Sequence, residues 1–105
     1  MTNFEIIKMF TKGEITLEEA NEKLTGGVKL IPDKNTLSEE EKAATIVGET
    51  PEEANGYGLL DTGLGTLDKV KVTNGKLAYG MGDIYAMCII GGKTYEVKND
   101  TLVEG

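Results

Sequence analysis

A chain of 105 residues, with 39% hydrophobic and 28% charged residues, has the length of one domain with a real but small core. Eighteen Asp and Glu face eleven basic residues, all Lys, and the net charge of −7 argues against nucleic acid or an anionic membrane surface as partner. His, Arg and Trp are absent. Without imidazole the usual general base and the commonest metal ligand are missing, so neither a metal site nor a cofactor is expected.

The first predicted element is a helix. Thr2-Asn3-Phe4-Glu5 fits a capping box, and Phe4, Ile7 and Phe10 share one face with Ile6 and Met9 beside it. Lys12-Gly13 should end the helix, a basic residue followed by a glycine suited to the left-handed cap. A second helix opens at TLEEAN, where Thr16 caps and Glu19 completes the box; Leu17, Ala20 and Leu24 are its apolar stripe, and Gly26-Gly27 stops it. Residues 1–27 therefore read as a helical hairpin. Its apolar residues lie on more than one face, so they either dock on the rest of the chain or meet another chain.

Residues 28–56 read as an irregular linker. Val28–Ile31 has the composition of a short strand, Pro32-Asp33-Lys34-Asn35 is turn-like, and Ser38-Glu39-Glu40-Glu41 starts a brief helix. TPEEAN, 34 residues after TLEEAN, reads as the same helix-start device, with Thr50 as cap, Pro51 at the first helical position and Glu53 closing the box. The residues around the two copies differ, which argues against a helical repeat.

From Tyr57 the apolar period changes to two. GYGLLD and LDKVKV are strands around a Gly-rich turn, and Asn74-Gly75 marks a tight hairpin pairing Val72 with Leu77 and Val70 with Tyr79. Gly91-Gly92 marks another, setting Cys88 opposite Tyr95 and Ala86 opposite Val97, and a turn at Asn99-Asp100 brings Leu102 to Val97. Ile84–Ile90 is apolar on both faces and should be the most buried strand. The expected architecture is α+β: the hairpin at 1–27, the linker at 28–56, and an antiparallel β-meander or half-barrel of about five strands at 57–105.

Candidate chemistry is sparse. Leu59-Leu60-Asp61-Thr62-Gly63 resembles the active-site loop of retroviral-type aspartic proteases, which implies a homodimer whose two Asp61 carboxylates share a proton. Only 44 residues follow Asp61, and Gly91 leads into a hairpin where that family has a helix. Asp61-Thr62-Gly63 also reads simply as a turn between strands. The Gly-rich stretches GYGLLDTGLG and YGMGD lead into strand-like sequence, unlike phosphate loops. Asp33-Lys34-Asn35 starts like a calcium loop, but Leu37, Ser38 and Ala44 occupy positions where that loop needs a ligand, a glycine and a glutamate. Cys88, the single cysteine, cannot form an intrachain disulfide and reads as a small core residue. No apolar run approaches a membrane span and no leader pattern opens the chain, so a cytoplasmic protein is expected.

Gly13-Glu14-Ile15-Thr16-Leu17-Glu18-Glu19, with Leu24 beyond it, resembles the core of the SHOCT (short C-terminal) domain, Gly-x-Ile-Thr-x-Glu-Glu. Here the segment is N-terminal, and Ala20 stands where an aromatic is usual. That resemblance implies a helical hairpin that mediates oligomerisation. The whole chain is also similar to small uncharacterised proteins of Firmicutes genomes and their prophages. Together these readings lead to a non-catalytic protein–protein interaction or assembly module. It would act by self-association or on a protein partner, with Phe4, Ile7, Phe10, Ile15 and Leu17 carrying the contact. The alternative is the aspartic protease with Asp61 as the catalytic residue.

Overall fold

A computed structural model describes residues 2–31, 35–61, 67–77 and 86–104. In chain order they form α1 (Asn3–Lys12), α2 (Leu17–Lys23), α3 (Glu39–Ala44), a single 3-10 turn (Pro51–Glu53) and six strands. The strands are β1 (Gly56–Asp61), β2 (Leu67–Thr73), β3 (Lys76–Leu77), β4 (Ala86–Ile90), β5 (Lys93–Lys98) and β6 (Thr101–Glu104). The class is α+β.

Local capping explains the helices. In α2 and α3 the box is reciprocal: Thr16 and Ser38 accept the backbone N–H of Glu19 and Glu41, whose carboxylates accept in return. The cap of α1 is one-sided, since Thr2 Oγ1 accepts from Glu5 N–H, and Gly13 ends the helix at φ 88°. TPEEAN behaves differently from TLEEAN. Thr50 makes no side-chain cap to the backbone; its hydroxyl meets Glu53 Oε1 at 3.0 Å, and the chain makes one 3-10 turn before Gly56 begins β1. Similar letters yield an α-helix in one place and a single turn in the other, because Asn55 pairs with Ile46 and draws the chain into the sheet (2.7 and 2.8 Å).

All six strands are antiparallel and close into a barrel in the order β1-β2-β3-β6-β5-β4. This corrects the open meander or half-barrel of about five strands. The closing element is β3, two residues long, which pairs with β2 through Val72 opposite Leu77 and with β6 through Lys76 opposite Thr101. Cys88 faces Tyr95, Ala86 faces Val97 and Val97 faces Leu102, the registers expected from the hairpin signals. Tyr79, Ile84 and Tyr85 lie outside the described residues.

Strand alternation divides the apolar side chains between two cores. Leu60, Val70, Val72, Cys88, Ile90, Tyr95, Val97 and Leu102 fill the barrel together with Ala54. Leu59, Leu67 and Ile89 point outwards and meet Ile6, Ile7, Phe10, Ile15, Ala20 and Leu24 of the helical hairpin in a second core, with Leu30 and Leu37. The hairpin therefore docks on the outer wall of the barrel. One hydroxyl reinforces the contact: Thr11 Oγ1 donates to the Lys8 carbonyl at 3.0 Å and accepts the Gly92 N–H of the β4–β5 turn at 3.1 Å.

Val28–Ile31, expected as a strand, has no regular structure. Asparagine side chains hold this stretch instead. Asn21 donates to the Leu30 carbonyl and accepts its N–H, Asn35 does the same for the Lys29 carbonyl and Ile31 N–H, and Asn3 accepts Thr25 N–H and donates to its carbonyl. These amides satisfy backbone groups that no neighbouring strand reaches.

Phe10 is 1% exposed and touches both α3 and the second core, so Phe10→Ala should destabilise the fold by about 3–5 kcal/mol. Phe4→Ala, on the exposed side of the same helix, should cost less than about 1 kcal/mol. Urea unfolding of the two variants checks the contrast.

Candidate functional site

The five predicted contact residues do not form one surface. Ile7, Phe10 and Ile15 are buried in the second core and Leu17 is half-buried against it; only Phe4 is exposed, at 37%. Sequence reasoning missed two other exposed apolar side chains, Ile31 at 44% and Ile46 at 66%. Neither lies in a periodic stretch. The usable signal was that each sits in a short extended segment without a helical or alternating pattern to turn it inwards.

Asp61, the candidate catalytic aspartate, is the last residue of β1, opposite Leu67 on one side and Met87 on the other. Its side chain is half-buried, and it takes part in a polar contact. Thr62 and Gly63 lie outside the described residues.

Cys88 is fully buried between Leu60 and Tyr95 on the inner face of the barrel. Burial pushes its thiol up to about 12, so the thiolate needed for nucleophilic attack is not formed near neutral pH. Burial also raises the Tyr95 phenol, with the Glu104 carboxylate, Cys88 and Glu53 adding to it.

Two open hollows, of about 330 and 350 Å3, adjoin along α1 and share Lys8 and Gly92. The first is completed by Glu5, Met9, Lys12 and Glu14, the second by Glu49, Lys93, Tyr95 and Glu104 among others. Lys12 pairs with Glu14 at 3.3 Å, and Lys93 Nζ donates to the Gly48 carbonyl at 2.7 Å. The groove offers mixed charge. Among the described residues no three acidic or cysteine side chains gather as a metal site.

A second polar cluster fixes α3. Lys42 Nζ lies 4.1 Å from the centre of the Phe10 ring and 3.1 Å from Glu39, while its side chain is 7% exposed. Lys69 of β2 reaches across to Glu41 at 2.7 Å and lies 5.6 Å from the Tyr57 ring. The hydrogen bond from Lys69, then that from Ser38, holds the Glu41 carboxyl below its ordinary value of 4.5. No residue of α3 is buried as a whole, although the Lys42 side chain nearly is, and these contacts, with Thr45 Oγ1 accepting the Tyr57 N–H at 3.0 Å, join it to the barrel.

No family model, no curated protein and no solved structure matches the chain. No helix among the described residues is long and apolar enough to cross a membrane.

The thiol of Cys88 should resist a disulfide reagent at neutral pH in the folded protein and react fully once urea unfolds it; equal rates in the two states would contradict the burial. Because the Glu41 carboxyl is lowered on folding, its contribution is present above about pH 4.5 and is lost as the pH falls through the lowered value. The pair is partly exposed, so Glu41→Gln should cost only ~0.5–1 kcal/mol at neutral pH and nothing in strong acid, as urea midpoints across that range would show.

Proposed function

We propose that the protein is a small, non-catalytic interaction or assembly module of prophage type, acting in the cytoplasm through apolar side chains left outside its two cores. The observation that carries this reading is Ile46. It lies in a two-residue bridge at 66% exposure while neighbouring Val47 packs against the barrel core. Leaving an isoleucine that open forgoes about 1–2 kcal/mol of burial, which contact with another protein surface would recover. Phe4 and Ile31 add to it. Asn3 is tied to Thr25, so the exposed start of α1 sits against the loop that continues to Ile31.

The resemblance of residues 13–19 to the SHOCT core supports the same class, since it implies an oligomerisation hairpin. The contact then falls to Phe4 of the expected five, with Leu17 half-buried beside the second core. Ile7, Phe10 and Ile15 support the surface from beneath. Chemical composition supports a non-catalytic role. The lone thiol is held protonated, and the chain supplies no imidazole to activate a hydroxyl.

Light scattering of the full chain over a range of concentrations, at moderate salt to screen the net negative charge, tests the reading. The wild type should give particles heavier than the 11.3 kDa chain, and Phe4→Ser combined with Ile46→Ser should shift them towards that mass. A wild type that stays at the single-chain mass throughout, unchanged by the double substitution, would argue against assembly. Removing residues 1–27 is not a clean test, because it strips the cover from Leu59 and Ile89.

A further inference from the structure

The chain contains two Asn-Gly pairs, Asn55-Gly56 and Asn74-Gly75, and the fold presses them together. Asn-Gly is the dipeptide in which a backbone nitrogen most easily reaches the preceding carboxamide, because glycine has no Cβ to crowd the approach. At Asn74 the carboxamide belongs to an exposed turn residue at φ 51°. The nitrogen that would attack it is another matter. Gly75 is buried, its N–H donates to the Ala54 carbonyl at 3.0 Å, and the Asn74 N–H donates to Asn55 Oδ1 at 2.9 Å. A Cβ on Gly75 would lie 2.5 Å from the Pro51 carbonyl oxygen, so the turn is wedged beneath residues 51–55.

Residues 46–55 thus form a strap over the β2–β3 turn. The two ends of the strap are paired with each other through the bonds between Ile46 and Asn55, and Lys93 Nζ on the Gly48 carbonyl ties it to β5. We propose that Asn74 is a deamidation site gated by this strap, open to reaction only when residues 46–55 lift away. The released Gly75 nitrogen gives up its proton and attacks Asn74 Cγ; the Cγ–Nδ2 bond breaks and ammonia leaves with that proton. Water then opens the resulting succinimide to aspartate or isoaspartate. Isoaspartate lengthens the backbone of the turn that sets Val72 opposite Leu77, and β3 is the seam that closes the barrel. Strap opening and loss of barrel closure would in this way become irreversibly coupled.

Peptide mapping by mass spectrometry, after ageing the full-length protein at mildly alkaline pH, tests the gate. Conversion at Asn74 should be at least ~10-fold slower in the folded protein than in the same chain held in urea, since an opening that breaks the Gly75–Ala54 backbone bond and the bond from Asn74 N–H to the Asn55 side chain must come first. Lys93→Ala removes a pin far along the strap without touching the turn, and Asn55→Ala removes the acceptor of the Asn74 N–H. A rise of about threefold or more at Asn74 in either variant, with the unfolding midpoint of Lys93→Ala close to wild type, supports the gate. Equal rates in the folded and urea-unfolded wild type, or wild-type rates at Asn74 in both variants, would overturn it.

Discussion

The structure depends on one shared wall. β1 and β4 lie side by side, and each carries consecutive apolar residues, Leu59-Leu60 and Ile89-Ile90. Because side chains alternate along a strand, Leu60 and Ile90 enter the barrel while Leu59 and Ile89 face the helices. Two cores that are separate as side-chain clusters are therefore coupled through the backbone of the same two strands. A shift of one residue in the β1–β4 register would exchange the two sets of side chains, so both cores specify the same pairing. This coupling lets a chain of 105 residues hold two cores.

Barrel closure sets a second constraint, a limit on volume. Gly58 faces inwards, and a Cβ there would lie 3.0 Å from Cys88 Sγ and from Ile90 Cβ. Ala54, Ala86 and Cys88 are the other small residues of that core, alongside Leu, Val and Tyr. Small and large side chains interleave across the interior, which keeps six short strands in contact around it. The chain that follows α3 serves the same end. Ala54 is fully buried and Val47 packs partly against the barrel core, so a segment with little regular structure still supplies core atoms.

How far this could be read from the sequence follows from how local each determinant is. The caps of α1, α2 and α3 and the tight turns at Asn74-Gly75 and Gly91-Gly92 depend on a few adjacent residues, and the reading found them. Closure depends on Lys76-Leu77, two residues that pair on both sides; nothing in their letters distinguishes such a seam from the tail of a hairpin. TPEEAN misled because capping letters were weighed without the tertiary pull of Ile46 on Asn55. The same limit applies to the predicted contact residues. A helical stripe reports that Ile7 and Phe10 must be covered, but not whether the cover is a barrel wall or another chain. Ile31 and Ile46 were missed for the opposite reason, since isolated residues in extended segments have no period to read, and only that lack of pattern could have marked them.

Polar chemistry in this chain is largely committed to its own architecture. Asn3, Asn21 and Asn35 complete the backbone bonding of the hairpin and of the loop after it, and Asn55 does so for the β2–β3 turn. Lys42, Lys69 and Glu41 attach a helix that buries no apolar side chain of its own, and Thr11 joins α1 to the β4–β5 turn. Groups that hold a fold in this way are fixed in geometry and already partnered, which suits them poorly to proton transfer or to holding a substrate. Among the described residues the exposed large apolar side chains are Phe4, Ile31 and Ile46, set in a chain whose carboxylates outnumber its lysines. Negative charge tends to keep copies and nucleic acid apart, while exposed isoleucine and phenylalanine gain by being covered. Under the proposed interaction role, a surface that combines the two would favour a partner offering an apolar patch within a neutral or basic surround over indiscriminate association.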